Sequence, residues 1–272
     1  MTGKTDWTQY LHAIRRREIE IVLALLPKKQ FTSGLEIGAG DGFQTTLLAP
    51  LVEKLISSDL NFNRIKESLK VPGVEYKILD ADAIEGMFRP NSFDLIFSSN
   101  VLEHVRDSLN VLISTRPMLK DDGYAVHIIP SRPLKIFYLL LHYPNLMLLA
   151  VDRILGKLKG KPFFQGANIN LENNINLAVS PPSDWQSRLR KFLLPSVHGN
   201  FPNHREEFIA FGKREWDKKF REAGYNIATY KRGPAFSGFG FGFNRVRKLL
   251  ERFGVSSEHI FILKKTSHQS AI

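Results

Sequence analysis

The sequence predicts an α/β protein built on a doubly wound, mostly parallel sheet. Three observations point there. Strand-like and helix-like segments alternate through the first 130 residues, the pattern of a parallel sheet covered on both faces. The run Ser92–Ser99 (SFDLIFSS) is apolar on both faces, as a central parallel strand has to be. A short strand, Leu35–Ile37, runs into three glycines at alternate positions, Gly38, Gly40 and Gly42, and a helix-like segment follows. Backbone freedom at that place lets a ligand come close to the main chain.

The elements follow in order. Trp7 to Leu26 carries Tyr10, Ile14, Ile21 and Leu25 on one helical face, and Pro27 ends it. After the glycines, Phe43 to Lys54 is expected to be a helix, Lys54 to Asp59 a second strand, and Asn61 to Leu69 a second helix capped by Asn61. Pro72-Gly73 sets off a third strand, Val74 to Leu79. The fourth strand is Ser92–Ser99; Val101 to Leu119 reads as helix, Asp121-Asp122-Gly123 as a turn, and Tyr124 to Ile129 as a fifth strand stopped by Pro130.

From Ser131 to Phe211 the alternation is lost. An apolar piece (LKIFYLLLHYPNLMLLAVDRIL) leads to an Asn-rich loop (ANINLENNINLAVSPPSD) and a basic stretch with prolines and histidines. After Gly212 order returns, with a helix at Lys213–Ala223 and strands at Tyr225–Tyr230 and His259–Lys264. A glycine-aromatic run and a helix, Arg245–Phe253, separate those strands. The expected organisation is one domain with seven strands. Residues 1–130 supply the N-terminal helix and the ligand-binding part, 131–212 an inserted lid or substrate segment, and 213–272 the last helix and strands. The apolar piece Ile136–Val151 has 16 residues, broken by His142, Pro144 and Asn145. A spanning helix needs about 20 apolar residues, so a helix pair packed on the sheet is favoured over an interfacial helix or lid.

Composition narrows the chemistry. At 43% hydrophobic and 24% charged residues the chain is globular. It has no cysteine, which excludes disulfides, thiolate metal sites and cysteine nucleophiles. The first residues, MTGKTDWTQYLHAIRRREIE, hold no signal-peptide core, so a cytoplasmic protein is expected. The net charge of +11 is one-sided. Residues 1–150 hold 17 Lys+Arg against 17 Asp+Glu, and residues 151–272 hold 21 against 10. A basic second half suits an anionic partner: a phosphorylated substrate, nucleic acid or an acidic membrane surface, with peripheral contact at its inner face.

The glycine spacing excludes two ligands. A dinucleotide fingerprint needs a third glycine where Phe43 stands, and no Gly-Lys-Ser/Thr of a P-loop follows. The pattern Glu36-x-Gly38-x-Gly40-x-Gly42 resembles the first motif of class I S-adenosylmethionine-dependent methyltransferases. Asp59 at the end of the second strand, Asp80-Ala81-Asp82-Ala83 after the third and Ser98–Val105 (SSNVLEHV) after the fourth fall where that family carries its further motifs. The last block is similar to small-molecule methyltransferases such as those of quinone biosynthesis.

The resemblance, over Phe31–Pro130 and the last two strands, implies a Rossmann-like fold and S-adenosylmethionine as cofactor. It implies cofactor contacts from Glu36, Gly38, Gly40, Gly42, Asp59 with Leu60, Asp82 with Ala83, and Asn100. Asp82 is matched to the acid that takes the adenine amino group, with Asp80 the alternative. Asp94 and His127 read as structural.

The acceptor is constrained by what is missing. There is no Asn/Asp-Pro-Pro-aromatic motif after the fourth strand and no cysteine for base C5 methylation. Oxygen methylation needs proximity, in-line geometry and a general base. His104, His198 and His204 are the base candidates, and Arg205 is a candidate for holding an anionic acceptor. A zinc set of His198, His204, Glu206 and Glu207 matches no strong metal spacing, so no metal is expected. The layout after the fifth strand resembles methyltransferases of polysaccharide and cell-envelope pathways, which implies a saccharide or lipid-linked acceptor. An RNA methyltransferase and a non-catalytic cofactor-binding protein are the alternatives. No RNA-binding module is recognised in the basic half, which makes nucleic acid the weaker partner.

Overall fold

A computed structural model describes residues 7–159, 194–241 and 244–266. Helix α1 (Trp7–Leu25) precedes strand β1 (Phe31–Ile37), and α2 (Phe43–Leu48) follows the glycines. Next come β2 (Val52–Asp59), β3 (Glu75–Ile78), β4 (Phe93–Ser99), α3 (Ser108–Thr115) and β5 (Leu119–Pro130). Beyond them lie α4 (Arg132–Lys159), α5 (His204–Ala210), α6 (Lys213–Glu222), β6 (Tyr225–Arg232), α7 (Asn244–Arg252) and β7 (Glu258–Lys265). The Asn-rich loop expected in the insert falls outside the described residues.

The seven strands form one sheet in the order β3-β2-β1-β4-β5-β7-β6. β1 to β5 are parallel, and β7 runs antiparallel between β5 and β6. This is the doubly wound, mostly parallel, seven-stranded sheet the sequence predicts. The strand order reverses between β1 and β4, and ligands of such sheets bind outside the carboxyl ends at that point. β4 is buried along its whole length. Its Ile96 joins the core with Trp216 and Phe220, while Leu95 and Phe97 join the opposite one with Ile19, Phe31 and Leu48. Asp94 is structural, as expected, but at the far end of β1 from the glycines: it accepts from Thr32 N, Ser33 N and Lys28 Nζ.

Four local expectations are corrected. The helix expected over Asn61–Leu69 is two 3-10 turns, Phe62–Arg64 and Glu67–Leu69, and Lys66 N donates to Asp41 O of the glycine turn instead of continuing a helix. The helix expected from Val101 begins only at Ser108, because Asp107 caps it by accepting from Leu109 N and Asn110 N. The turn Asp121–Gly123 lies inside β5, at a register irregularity opposite Phe93–Leu95. The apolar segment is a single helix, α4, with Pro144 inside it, rather than a helix pair on the sheet.

α4 packs one side, through Leu134 and Tyr138, on Trp7, Tyr10 and Ile14 of α1 and on Phe236. Ile136, Leu139, Leu140, Tyr143, Met147, Val151 and Ile154 are left exposed. The helical stretch Arg132–Val151 is 20 residues long and apolar enough to cross a membrane by length and composition alone, longer than the 16 residues counted from the sequence.

Candidate cofactor and catalytic site

The turn after β1 is held by its neighbour strand. Gly38 N and Ala39 N both donate to Ser58 O, at 2.7 and 2.9 Å. Gly38, at φ +80°, has a second reason to be glycine: an added Cβ would lie 2.2 Å from Val101 Cγ2. Gly40, at φ +60°, differs. The nearest atom to its added Cβ is Arg64 Nη2 at 3.9 Å, so that face of the turn is open. Gly42 caps α2 and packs near Ile65, a structural place.

The acids sort by what already holds them. Glu36 is 1% exposed, and its Oε2 accepts from Thr45 Oγ1 at 2.6 Å and Ser57 Oγ at 2.9 Å. Burial pushes its carboxyl up to about 7, against the pull of the two hydroxyls. Asp59 accepts from Gly40 N through Oδ2 (2.8 Å) and from Asn61 N through Oδ1 (2.9 Å). Each Asp59 oxygen thus keeps a lone pair for a ligand. Leu60 beside it is 57% exposed.

Asp82 is engaged by protein donors. Arg106 N donates to both of its oxygens, Asp107 N to Oδ1 and Arg106 Nε to Oδ2. Three N–H groups thus converge on this carboxylate, and Asp82 ties down the segment before α3. Asp80 Oδ1 accepts only from Asp82 N, and Ala83 ends the short 3-10 turn Ala81–Ala83 that follows. Asn100 sits at φ +54°. Its Nδ2 donates to Glu258 Oε1 at 2.9 Å and Ser99 Oγ at 3.2 Å.

The comparisons with known proteins bear on the domain and the fold. Residues 35–127 match the model of a methyltransferase domain family. This stretch is a class I S-adenosylmethionine-dependent methyltransferase domain. Phosphoethanolamine N-methyltransferase 1 of Arabidopsis thaliana is 34% identical over 109 residues, which are 38% of this chain and 22% of that protein. The chain thus spans about a fifth of the length of the curated relative it matches. Among solved structures, a chain of the complex between the Haloferax volcanii Trm112 methyltransferase activator and a methyltransferase superposes with a TM-score of 0.58. It is 11% identical, over 96% of this chain and 93% of that one. The S-adenosylmethionine-dependent methyltransferase of Mesorhizobium loti gives 0.54 at 13% identity, over 90% and 96%. Phosphoethanolamine N-methyltransferase 1 of Haemonchus contortus, solved with phosphoethanolamine and S-adenosylhomocysteine, gives 0.54 at 15% identity, over 96% and 44%. At these identities the structures share the fold.

The methyltransferase domain fits its cofactor on the structure's own terms. The open face at Gly40, the spare lone pairs of Asp59 and the exposed Leu60 meet at the carboxyl ends of β1 and β2. A cleft of about 280 Å³ near Thr46, Pro50, Val52 and Pro72 holds none of the motif residues.

Beyond β4 the methyltransferase domain meets the insert. Asn200 N donates to Glu103 O at 2.7 Å. Gly199, at φ +86°, comes so close that an added Cβ would lie 2.5 Å from the same oxygen. This contact seats His198 beside His104, with ring centroids 4.8 Å apart. Glu103 Oε1 lies 3.8 Å from His104 Nε2 and 3.7 Å from His198 Nε2. Glu103 is buried, and neither of its oxygens accepts a hydrogen bond among the described residues. Burial, more than the adjacent carboxylate can offset, holds His104 down at about 4. His104 is therefore a neutral imidazole at pH 7, on a turn and not on the expected helix.

His204 does not join this pair. Its Nδ1 contacts Lys135 Nζ at 2.7 Å, and that lysine pairs with buried Glu207. Arg205 is exposed on α5. His127 donates to or accepts from Ser98 Oγ in the sheet interior, and burial holds it down at about 3, which fits a structural role.

Sequence reasoning missed a buried polar network under Asn100. Arg15 of α1 donates to Glu18 Oε1 at 2.7 Å, Ser99 Oγ at 2.9 Å and Glu258 Oε1 at 3.4 Å. Glu18 Oε2 also accepts from Gln44 Nε2 and Ser99 Oγ. Glu18 was readable as an acid next to the apolar Ile19 of an amphipathic helix, but nothing in the sequence marks its partners. His12 was missed too; it binds Asp41 at 2.7 Å and stacks on Phe43, bracing the glycine turn.

Proposed function

We propose that the domain transfers a methyl group from S-adenosylmethionine to a hydroxyl of a small-molecule, saccharide or lipid-linked acceptor of anionic character. The setting is the cytoplasm, at the inner face of a membrane. The observation that carries the reading is the adjacency of the open glycine turn and the Glu103–His104–His198 cluster. Val101, which packs on Gly38, stands two residues before Glu103.

Asp59 would hold the ribose hydroxyls, Gly38 and Gly40 would give the close backbone approach, and Asn100 would border the pocket. Asp80 takes the adenine role first matched to Asp82, and Ala83 and Leu60 flank the ring. Glu36 would orient the turn through Thr45 and Ser57, with Oε1 left toward the ammonium. When bound, the cofactor supplies an electrophilic methyl group on a sulfonium. The His104 imidazole, His198 and the buried Glu103 form the place where the acceptor hydroxyl gives up its proton. Arg205 and the basic second half would hold the acceptor's anionic group, and the exposed apolar face of α4 supports a lipid-like acceptor.

The similarity to phosphoethanolamine N-methyltransferases favours a second reading, an amine acceptor on a phosphorylated small molecule. Labelled S-adenosylmethionine offered with envelope lipids, with soluble metabolites and with phosphoethanolamine separates the two. Label in the lipid-linked saccharide fraction supports the first reading. Label only in phosphoethanolamine or in soluble metabolites overturns the membrane-linked acceptor. Cofactor binding without transfer to any fraction points to a non-catalytic protein of this fold.

A further inference from the structure

Glu103 is the anomaly of the molecule. A buried carboxylate is normally paired or hydrogen-bonded, because an uncompensated buried charge is very costly. Here the whole side chain is buried and both oxygens lack a donor among the described residues. His104 Nε2, next to it, is equally buried and also makes no hydrogen bond. The cations nearby are committed or peripheral: Arg15 is held by Glu18 and Glu258, and Arg64 acts on His104 only through its field.

The ligand atoms of Glu103, His104 and His198 all lie within 4.8 Å of one another. For metal–ligand bonds of about 2.0–2.2 Å in a tetrahedral arrangement, ligand atoms stand about 3.4 Å apart. The 3.7 and 3.8 Å from the carboxylate are within a few tenths of an ångström of that spacing, and the two imidazoles, whose ligand atoms lie within 4.8 Å, close by up to about 1.4 Å. His198 is on a loop, between Leu194 and α5, which can supply that movement.

We propose that Glu103, His104 and His198 bind a divalent transition-metal ion of the zinc type. Two imidazoles and one carboxylate suit such an ion better than magnesium, which prefers an all-oxygen shell and keeps its waters. Three protein ligands leave at least one coordination position open, as at catalytic rather than structural sites. One ligand comes from the insert and two from the segment after β4, so the ion would also clamp the insert to the cofactor domain.

The role in catalysis rests on the methyl-transfer reading; the site does not. In that reading the acceptor oxygen takes the open position and its O–H bond gives the proton to solvent. The new O–C bond forms as the S–C bond breaks, and the metal keeps its oxidation state throughout.

The test uses the full chain, stripped with chelator and titrated with Zn²⁺ by calorimetry, with Co²⁺ as a spectroscopic substitute. The expected result is one equivalent bound and visible d–d bands of a four- or five-coordinate Co²⁺ site. Glu103→Gln and His198→Ala should each weaken Zn²⁺ at least tenfold, while His204→Ala leaves it unchanged and Mg²⁺ does not compete. S-adenosylhomocysteine binding, measured on the same samples, reports that each variant is folded and that the cofactor site is intact. Absence of a single saturable Zn²⁺ site, or equal affinity in Glu103→Gln, overturns the proposal even where the cofactor still binds. A failure of cofactor binding with Zn²⁺ retained would instead sink the methyl-transfer reading and leave the metal site standing.

Discussion

The carboxylates on the two sides of the β1–β4 switch point are satisfied in opposite ways. On the glycine side, Glu36 is held by two hydroxyls, Asp59 by two backbone amides and Asp82 by four contacts. On the insert side, Glu103 is as deeply buried and has no donor. The first region is built from adjacent strands and their own turns. The second is assembled where a loop from late in the chain lands on the segment after β4. A satisfied region is a scaffold that is complete before its ligand arrives, while an unsatisfied one is finished by whatever binds there.

The largest expected effect tests the rigidity of the scaffold. Gly38→Ala combines left-handed strain of about 1–2 kcal/mol with an overlap on Val101 worth about 1–3 kcal/mol. Urea denaturation should show a loss on the order of 2–5 kcal/mol, with S-adenosylhomocysteine binding abolished. Unchanged stability would mean that the segment after β4 is not packed on the turn.

Next in size is a pH effect. The Glu36 carboxyl is raised from 4.5 to about 7 by burial, so the folded chain keeps a proton that the unfolded chain releases. The sign follows: stability is greatest below about pH 4.5 and falls as pH rises to about 7. At 1.36 kcal/mol per unit the loss is roughly 3 kcal/mol. Glu36→Gln should flatten this part of the urea-stability profile between pH 5 and pH 7.5. A profile identical to wild type would show that Glu36 is ionised in the folded protein.

Asp59→Ala and Asp82→Asn sharpen the contrast within the glycine side. Removing the hydrogen bonds of a charged group should cost Asp59→Ala about 1.5–3 kcal/mol of S-adenosylhomocysteine affinity in calorimetry. Asp82→Asn should leave that affinity within twofold and lower thermal stability, because its donors are protein groups. If Asp82→Asn costs as much affinity as Asp59→Ala, Asp82 holds the ligand as well as the segment before α3. The smallest effect is at Arg205, exposed on α5. Arg205→Ala should change stability by less than about 0.5 kcal/mol and raise KM for an anionic acceptor with kcat unchanged.

What the sequence made legible follows the same divide. The strands, their parallel order and the glycine turn were readable because alternation, apolar runs and glycine spacing are local signals. Helix lengths were not. Asp107 caps α3 and Asp82 gathers the amides of Arg106 and Asp107, so residues that read as a helical face form a turn. The donors that engage Asp82 belong to another segment, so the choice between Asp82 and Asp80 was not legible in the sequence. His104 was legible as a base candidate, but the burial of Glu103 was not, since Gly199 and Asn200, which pack on its backbone, belong to a distant segment. The Arg15–Glu18–Glu258 network joins α1 to the last strand, and no periodicity connects such distant positions.

That network also sets a schedule. Arg15 and Glu18 are made long before Glu258, which binds Arg15 and Asn100 and comes only with β7. β7 is also the strand that fills the gap between β5 and β6. Until it is translated, the floor beneath Asn100 lacks one of its anions and the nascent sheet has an open edge. The hydrogen bonds of Arg15 and Asn100 to Glu258 can therefore form only after β7 exists, however early the glycine turn has formed.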